Sequence, residues 1–165
     1  MKPPRIILLT IAIFFTFISN AQLNKTSLSF GGGISTLSAS NNPKASIGFG
    51  ADVMIKRDFS NRIQGFAQTG YNAYNNPGYN VAFVPLLIGI NYKFEGLTPG
   101  IGIGYGSSTA GGSTTEGFTI SPQIGYTYNK YDFILYYSNT TTTSNNLEGG
   151  NWHVFGGMKV LYKIL

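Results

Sequence analysis

Cysteine is absent from the 165 residues. The chain therefore has no disulfide framework, no thiolate metal site and no thiol nucleophile. Charge is scarce: charged residues make up 10% of the chain, where soluble surfaces carry about 25–35%. There is a single histidine, His153, and one imidazole makes neither a metal site nor a catalytic triad. No cofactor is expected. A long apolar run is missing too. The most apolar stretch, Ile6 to Phe17, is well short of the ~20 residues a spanning helix needs. With Lys2 and Arg5 before it and Ser19-Asn20-Ala21 after it, residues 1–21 read as a signal peptide cleaved ahead of Gln22. No cysteine follows that cut, which excludes a lipoprotein anchor. Residues 22–165 remain as one domain. The formal charge of +5 includes Lys2 and Arg5, so it falls by two to +3 in the mature chain.

What the chain does have is alternation. Phe118 to Tyr137 reads FTISPQIGYTYNKYDFILYY. Phe118, Ile120, Pro122, Ile124, Tyr126 and Tyr128 alternate with Thr119, Ser121, Gln123, Gly125 and Thr127, a period of two that places the two sets on opposite faces of a strand. Past Asn129-Lys130 the pattern resumes with Tyr131, Phe133, Leu135 and Tyr137, which makes a hairpin with a very short turn. The small polar face is almost free of charge, so it suits a narrow lumen better than open water, and the apolar face then meets lipid. Aromatic rings at both ends of an apolar band are what two membrane interfaces select. One girdle is expected from Tyr71, Phe83, Tyr105, Phe118, Tyr137 and Trp152. The other is expected from Tyr92, Phe94, Tyr126, Tyr128, Tyr131 and Tyr162.

Eight such strands are expected, beginning near Thr26, Ala45, Arg62, Val81, Pro99, Phe118, Tyr131 and Trp152. Short turns near Arg57–Asn61, Glu95–Thr98 and Asn129–Tyr131 alternate with polar loops at Ser38–Lys44, Ala73–Asn80, Ser107–Glu116 and Asn139–Asn151. In the fourth strand, Val81 and Phe83 are out of phase with Leu86, Ile88 and Ile90 if all five face lipid; Pro85, which cannot donate to a ladder, is expected to mark a bulge that absorbs the difference. The third strand is placed by Gln64, Gln68 and Asn72 on its lumen face. The G-x-G-x-G-x-G run from Gly100 to Gly106 lacks the spacing and the helix of a phosphate loop. Its glycines instead make room for large lumen residues such as Phe155 or Tyr136.

An even number of strands with alternating connections is the plan of a closed antiparallel eight-stranded transmembrane up-and-down β-barrel, with both termini periplasmic. Most charges gather at the short-turn end, as a rim and not as a nucleic-acid stripe. Asp52 and Lys159 fall on inward faces away from that rim. Strands two and eight flank strand one, whose inner face is mostly Gly and Ser, so the two charges are expected to pair, directly or through Gln68 or Gln123, because a lone ion is costly to desolvate.

Through the whole mature region the chain resembles the small eight-stranded outer-membrane barrels of the OmpA-transmembrane and OmpX-like group. The leader ending SNAQ, the stretches VPLLIGINYKF, PGIGIGYG and SPQIGYTY, and the alternating strands carry the likeness. The chain departs from that group in ending Tyr162-Lys163-Ile164-Leu165 and not in an aromatic residue. The resemblance implies a Gram-negative outer membrane, assembly by the barrel-insertion machinery, contact with outer-membrane lipid and lipopolysaccharide, and a monomer. The expected function is non-enzymatic: structural, or adhesive and ligand-binding through external loops, with no nucleic-acid partner. A fainter resemblance is to outer-membrane lipid A deacylases, whose catalytic stretch reads H-Y-S-N. Here the stretch is Tyr136-Tyr137-Ser138-Asn139. It implies Ser138, His153 and Glu148 as an alternative catalytic set, although tyrosine stands where the histidine would be and is a poor base. A third alternative is a soluble lipocalin-like calyx in the periplasm, with the apolar faces turned inward.

Overall fold

The computed structural model describes residues 26–39, 42–76, 79–142 and 151–165. The expected leader and Glu148 lie outside the described residues. Eight strands follow one another: β1 Thr26–Ala39, β2 Asn42–Asp58, β3 Ile63–Asn76, β4 Tyr79–Tyr92, β5 Leu97–Ala110, β6 Ser113–Tyr128, β7 Tyr131–Thr142 and β8 Asn151–Lys163. Each pairs antiparallel with its neighbours in sequence, and β1 pairs with β8, so the sheet closes. No helix occurs among the described residues. Closure removes both sheet edges, which is the condition for a β-structure to cross lipid.

The expected short turns are present. Glu95 and Gly96 both have positive φ, 46° and 88°, the backbone of a type I′ hairpin turn, whose twist matches that of the strands it joins. Asn129, at φ 54°, opens the turn into β7. At the opposite end the chain departs from expectation. Three stretches expected as polar loops are largely strand: β1 and β2 pair out to Ala39 and Asn42, β3 and β4 to Asn76 and Tyr79, and β5 and β6 to Ala110 and Ser113. Gly111 and Gly112, at φ 57° and 85°, make another tight turn. Ser, Thr and Asn rims suggest loops by composition, but once the lower strands are registered, continuing the ladder pairs backbone groups at little further cost.

β4 corrects a second expectation. Its pairing with β5 is unbroken from Val81 to Asn91, so Pro85 marks no bulge. Pro85 points inward in phase with Val81, Phe83 and Leu87, while Val84, Leu86, Ile88 and Ile90 face out. Phe83 therefore belongs to no girdle; it is 3% exposed and packs in the lumen. The strand is apolar on both faces near its middle, and the period of two alone cannot say which of two apolar sets faces lipid.

The other faces are as the alternation indicates. Ile47, Phe49, Val53, Ile88, Ile90, Ile124 and Leu135 point outward, each between 43% and 68% exposed. A lipocalin-like calyx would bury these side chains in its interior, so that alternative is overturned. A contiguous apolar belt of this size on a sheet closed on itself has no soluble explanation.

Candidate functional site: a sealed lumen within an apolar belt

The lumen is filled in layers, which can be followed along β2 and β8. Nearest the termini, Lys56 Nζ donates to Asp132 Oδ2 at 2.8 Å, and Thr127 Oγ1 donates to Asp132 Oδ1 at 2.6 Å. Both charged side chains are buried. Both stand beside a short turn, where sequence position alone suggests the charged rim. Their inward phase, Lys56 with Met54 and Asp132 opposite the outward Phe133, was the signal available. Above them Met54, Phe66, Ile134 and Leu161 form an apolar layer. Gly89 and Gly102 make the room for the Phe66 ring, since a Cβ on either would strike it.

The next layer holds Asp52 and Lys159. Lys159 Nζ lies 3.6 Å from Asp52 Oδ1, with side chains 2% and 5% exposed respectively. On β1 the residues opposite them are Gly31 and Gly33: Gly31 pairs with Asp52 and Leu161, and Gly33 with Gly50 and Lys159. No side chain stands between the two charges from that strand. Gln68 Nε2 donates to Asp52 Oδ1 at 3.0 Å, and Lys159 Nζ sits 4.8 Å from the centre of the Tyr136 ring. Gln123 is not part of this group. It donates to Asn91 Oδ1 at 3.0 Å, in a chain that continues from Asn91 to Gln64 and Asp58.

An aromatic layer closes the far side. Phe83 and Phe155 stack with ring centres 3.9 Å apart, Tyr74 packs against Phe155 at 5.6 Å, and Leu37 and Val81 complete the cluster. Tyr74 Oη and Ser35 Oγ share a hydrogen bond of 2.8 Å. The interior is thus two apolar layers with an ion pair between them, in keeping with a barrel of eight strands, whose side chains fill its width.

Of the alternative catalytic residues, Ser138 and His153 fall among the described residues. Ser138 points into the lumen and shares a 2.7 Å hydrogen bond with Ser121 Oγ. The β7–β8 register sets Ser138 opposite Phe155 and His153 opposite Thr140, so the two stand at different levels of the ladder. Among the described residues no hydrogen bond joins Ser138 to His153. Among the described residues the hydrogen-bond partner of Ser138 is a hydroxyl and not a base, and Ser138 does not face the lipid.

Outside, Tyr71, Tyr105, Phe118 and Tyr137 project near the far end, and Tyr92, Phe94, Tyr126, Tyr128 and Tyr131 near the termini. Tyr162 also faces outward, half-buried between Phe30 and Tyr131, with ring centres at 6.2 and 5.4 Å. The side chain of Trp152 lies outside the described residues. At the rim by the termini, Asp58 accepts from Lys93 Nζ at 2.8 Å and from Gln64 Nε2 at 2.7 Å. Partial burial pushes the Asp58 carboxyl up, but the hydrogen bonds from Lys93 and Gln64 outweigh it and hold the group below the usual carboxylate range. A depressed carboxyl pKa gives stability that is present above the unfolded value near ~4 and is lost as pH falls through the folded value. Urea midpoints measured from pH 6 down to pH 3 should therefore show a shallower acid limb for Asp58→Asn than for the parent. The difference should be small, because the pair is about one-third exposed and screened.

Belt, closure and filled lumen together define a small transmembrane β-barrel. Solved structures with the same fold are small outer-membrane barrels. Neisserial surface protein A aligns with a TM-score of 0.58 at 13% identity, covering 84% of this chain and 97% of that one. Ail, the attachment invasion locus protein of Yersinia pestis, gives 0.58 at 10% identity, covering 85% and 98%. The outer membrane enzyme PagL gives 0.54 at 10% identity, covering 81% and 98%. At these identities the likeness is one of fold. No protein-family model and no curated protein sequence matches the chain.

Proposed function

We propose that this protein is a sealed barrel of a Gram-negative outer membrane, placed there by the barrel-insertion machinery, that acts through its far rim as a surface-presenting or adhesive protein and not as a pore or an enzyme. The filled lumen carries the reading: two apolar layers and a buried ion pair leave no aqueous path for a solute. The two sets of outward aromatics are suited to hold the barrel at the two interfaces, and Asp52 with Lys159 to act as an internal plug. The far rim is rich in hydrogen-bonding groups. Thr109, Ser113, Thr114, Thr115, Asn75 and Asn80 are exposed there, with Glu116 beside them, and Thr109 and Thr114 share a hydrogen bond of 3.1 Å. Ail has been seen with the heparin analogue sucrose octasulfate. The hydroxyl- and amide-rich rim here suits a neutral polar ligand better than a sulfated one. No observation favours hydrolysis of lipid A, since Ser138 faces the lumen.

Two measurements test this. In planar bilayers the purified barrel should give no stepwise conductance; steady channels would overturn the sealed-lumen reading. Displayed on a heterologous Gram-negative host, the protein should increase cell retention on glycan- or matrix-coated surfaces. Replacing Thr109, Thr114 and Thr115 with alanine should abolish the increase. Retention equal to that of cells lacking the protein would remove the adhesive part of the proposal.

A further inference from the structure

The outer belt is not uniform. Towards the termini end of β3 two of the outward residues, Gly65 and Ala67, are small, while their partners are large: Ala67 pairs with Ile55 on β2 and Ile88 on β4, and Gly65 pairs with Arg57 and Ile90. β3 is therefore the floor of a groove and its two neighbours are the walls, two strand spacings or about 9–10 Å apart. The groove has a volume of about 440 Å³, within the ~300–1,000 Å³ of pockets that hold small ligands. It runs along the strand, from mid-belt towards the termini end. There the Phe59 ring lies over Gly65, so that a Cβ at Gly65 would come within 2.6 Å of it.

Arg57 stands at the mouth of this groove. It is exposed, faces outward and lies level with Gly65. The neighbouring carboxylate, Asp58, is already taken by Lys93 and Gln64, and no salt bridge to Arg57 occurs among the described residues. Arg62 is exposed in the same turn. An apolar channel one chain wide, ending at a guanidinium where the belt meets the interface, matches one kind of molecule: an acyl chain attached to a phosphate. Guanidinium recognises phosphate through paired N–H donors.

We infer that the β3 groove is a specific site for a glycerophospholipid, one acyl chain lying on Ala67 and against the Phe59 ring that covers Gly65, and the phosphate paired with Arg57. This goes beyond the action of the far rim and lies at the other end of the barrel. A bound lipid would complete the belt over these small residues.

Native mass spectrometry of the full barrel, released from mild detergent after incubation with phosphatidylglycerol, tests the assignment. The parent should retain one lipid per monomer and should retain uncharged diacylglycerol much less. Arg57→Gln, an exposed change that leaves the fold intact, should weaken retention about tenfold, the worth of a hydrogen bond to a charged group. Ala67→Leu should weaken it comparably by filling the floor with the charge untouched. Arg62→Gln should have a smaller effect than Arg57→Gln. Equal retention by parent and Arg57→Gln would overturn the proposal even if Ala67→Leu failed to fold. Retention of lipopolysaccharide but not phosphatidylglycerol would overturn it, as would a dimer disrupted by Ala67→Leu, which would make the groove an interface between two copies.

Discussion

Asp52→Asn should destabilise the barrel by about 3–5 kcal/mol, the usual consequence of removing one partner from a buried ion pair. The substitution keeps the size of the side chain and its hydrogen bond with Gln68 while deleting the charge 3.6 Å from Lys159 Nζ. Lys159 would be left without its countercharge between two apolar layers, with a tyrosine ring as its remaining favourable contact. The Lys56–Asp132 pair lies on the far side of the Met54 layer and cannot take over as counterion. Unfolding in urea from lipid vesicles, followed by circular dichroism and by heat-modifiable gel mobility, should show the loss. The double variant Asp52→Asn with Lys159→Met should recover most of it, because removing both charges leaves nothing unpaired. A single variant as stable as the parent would mean that the two charges contribute no pairing energy and that the plug is apolar packing alone.

That ion pair was legible from sequence because charge is so rare here. In a lumen otherwise built from Gly, Ser, Thr and Gln, two opposite charges on strands either side of a glycine-rich β1 have few other partners. The opposite case is β4. Val81, Phe83 and Leu87 fill the lumen while Leu86 and Ile88 face lipid, and hydrophobicity does not distinguish a core from a bilayer. The aromatic layer around Phe155 is half legible for the same reason: glycines signal space, but alternation alone puts Phe83, the ring that stacks on Phe155, at the membrane interface. Ser, Thr, Asn and Gly favour turns locally, whereas the ladder of a barrel, once registered, extends through them. Lys56 and Asp132 show the limit of position as a guide. Each lies within a few residues of a turn, yet each has the inward phase, and phase decides. The groove over β3 has no signal in the sequence; it appears once the register sets Gly65 and Ala67 between Ile55 and Arg57 on one side and Ile88 and Ile90 on the other.

Gly33→Val should prevent closure. Gly33 faces inward on β1, at the seam where the first and last strands meet, and pairs with Gly50 on one side and Lys159 on the other. A Cβ there would strike the Met158 carbonyl oxygen and lie 2.8 Å from the Cα and Cβ of Lys159. These are mostly backbone atoms of the partner strand, so a rotamer change cannot relieve the contact. The strand would have to move. Overpacking within a core costs about 1–3 kcal/mol, but here the displaced element is the closing ladder. Each backbone group it leaves unpaired in lipid adds several kcal/mol. The compact, heat-modifiable species should therefore be lost from Gly33→Val on refolding into detergent or vesicles. Gly156→Ala is the control on the same strand pair. It pairs with Thr36, and the nearest atom to a Cβ there is Thr36 Oγ1 at 3.9 Å, so the barrel should fold with a stability change within about 0.5 kcal/mol. A Gly33→Val protein that folds like the control would show that β1 and β8 do not approach as closely as this geometry requires.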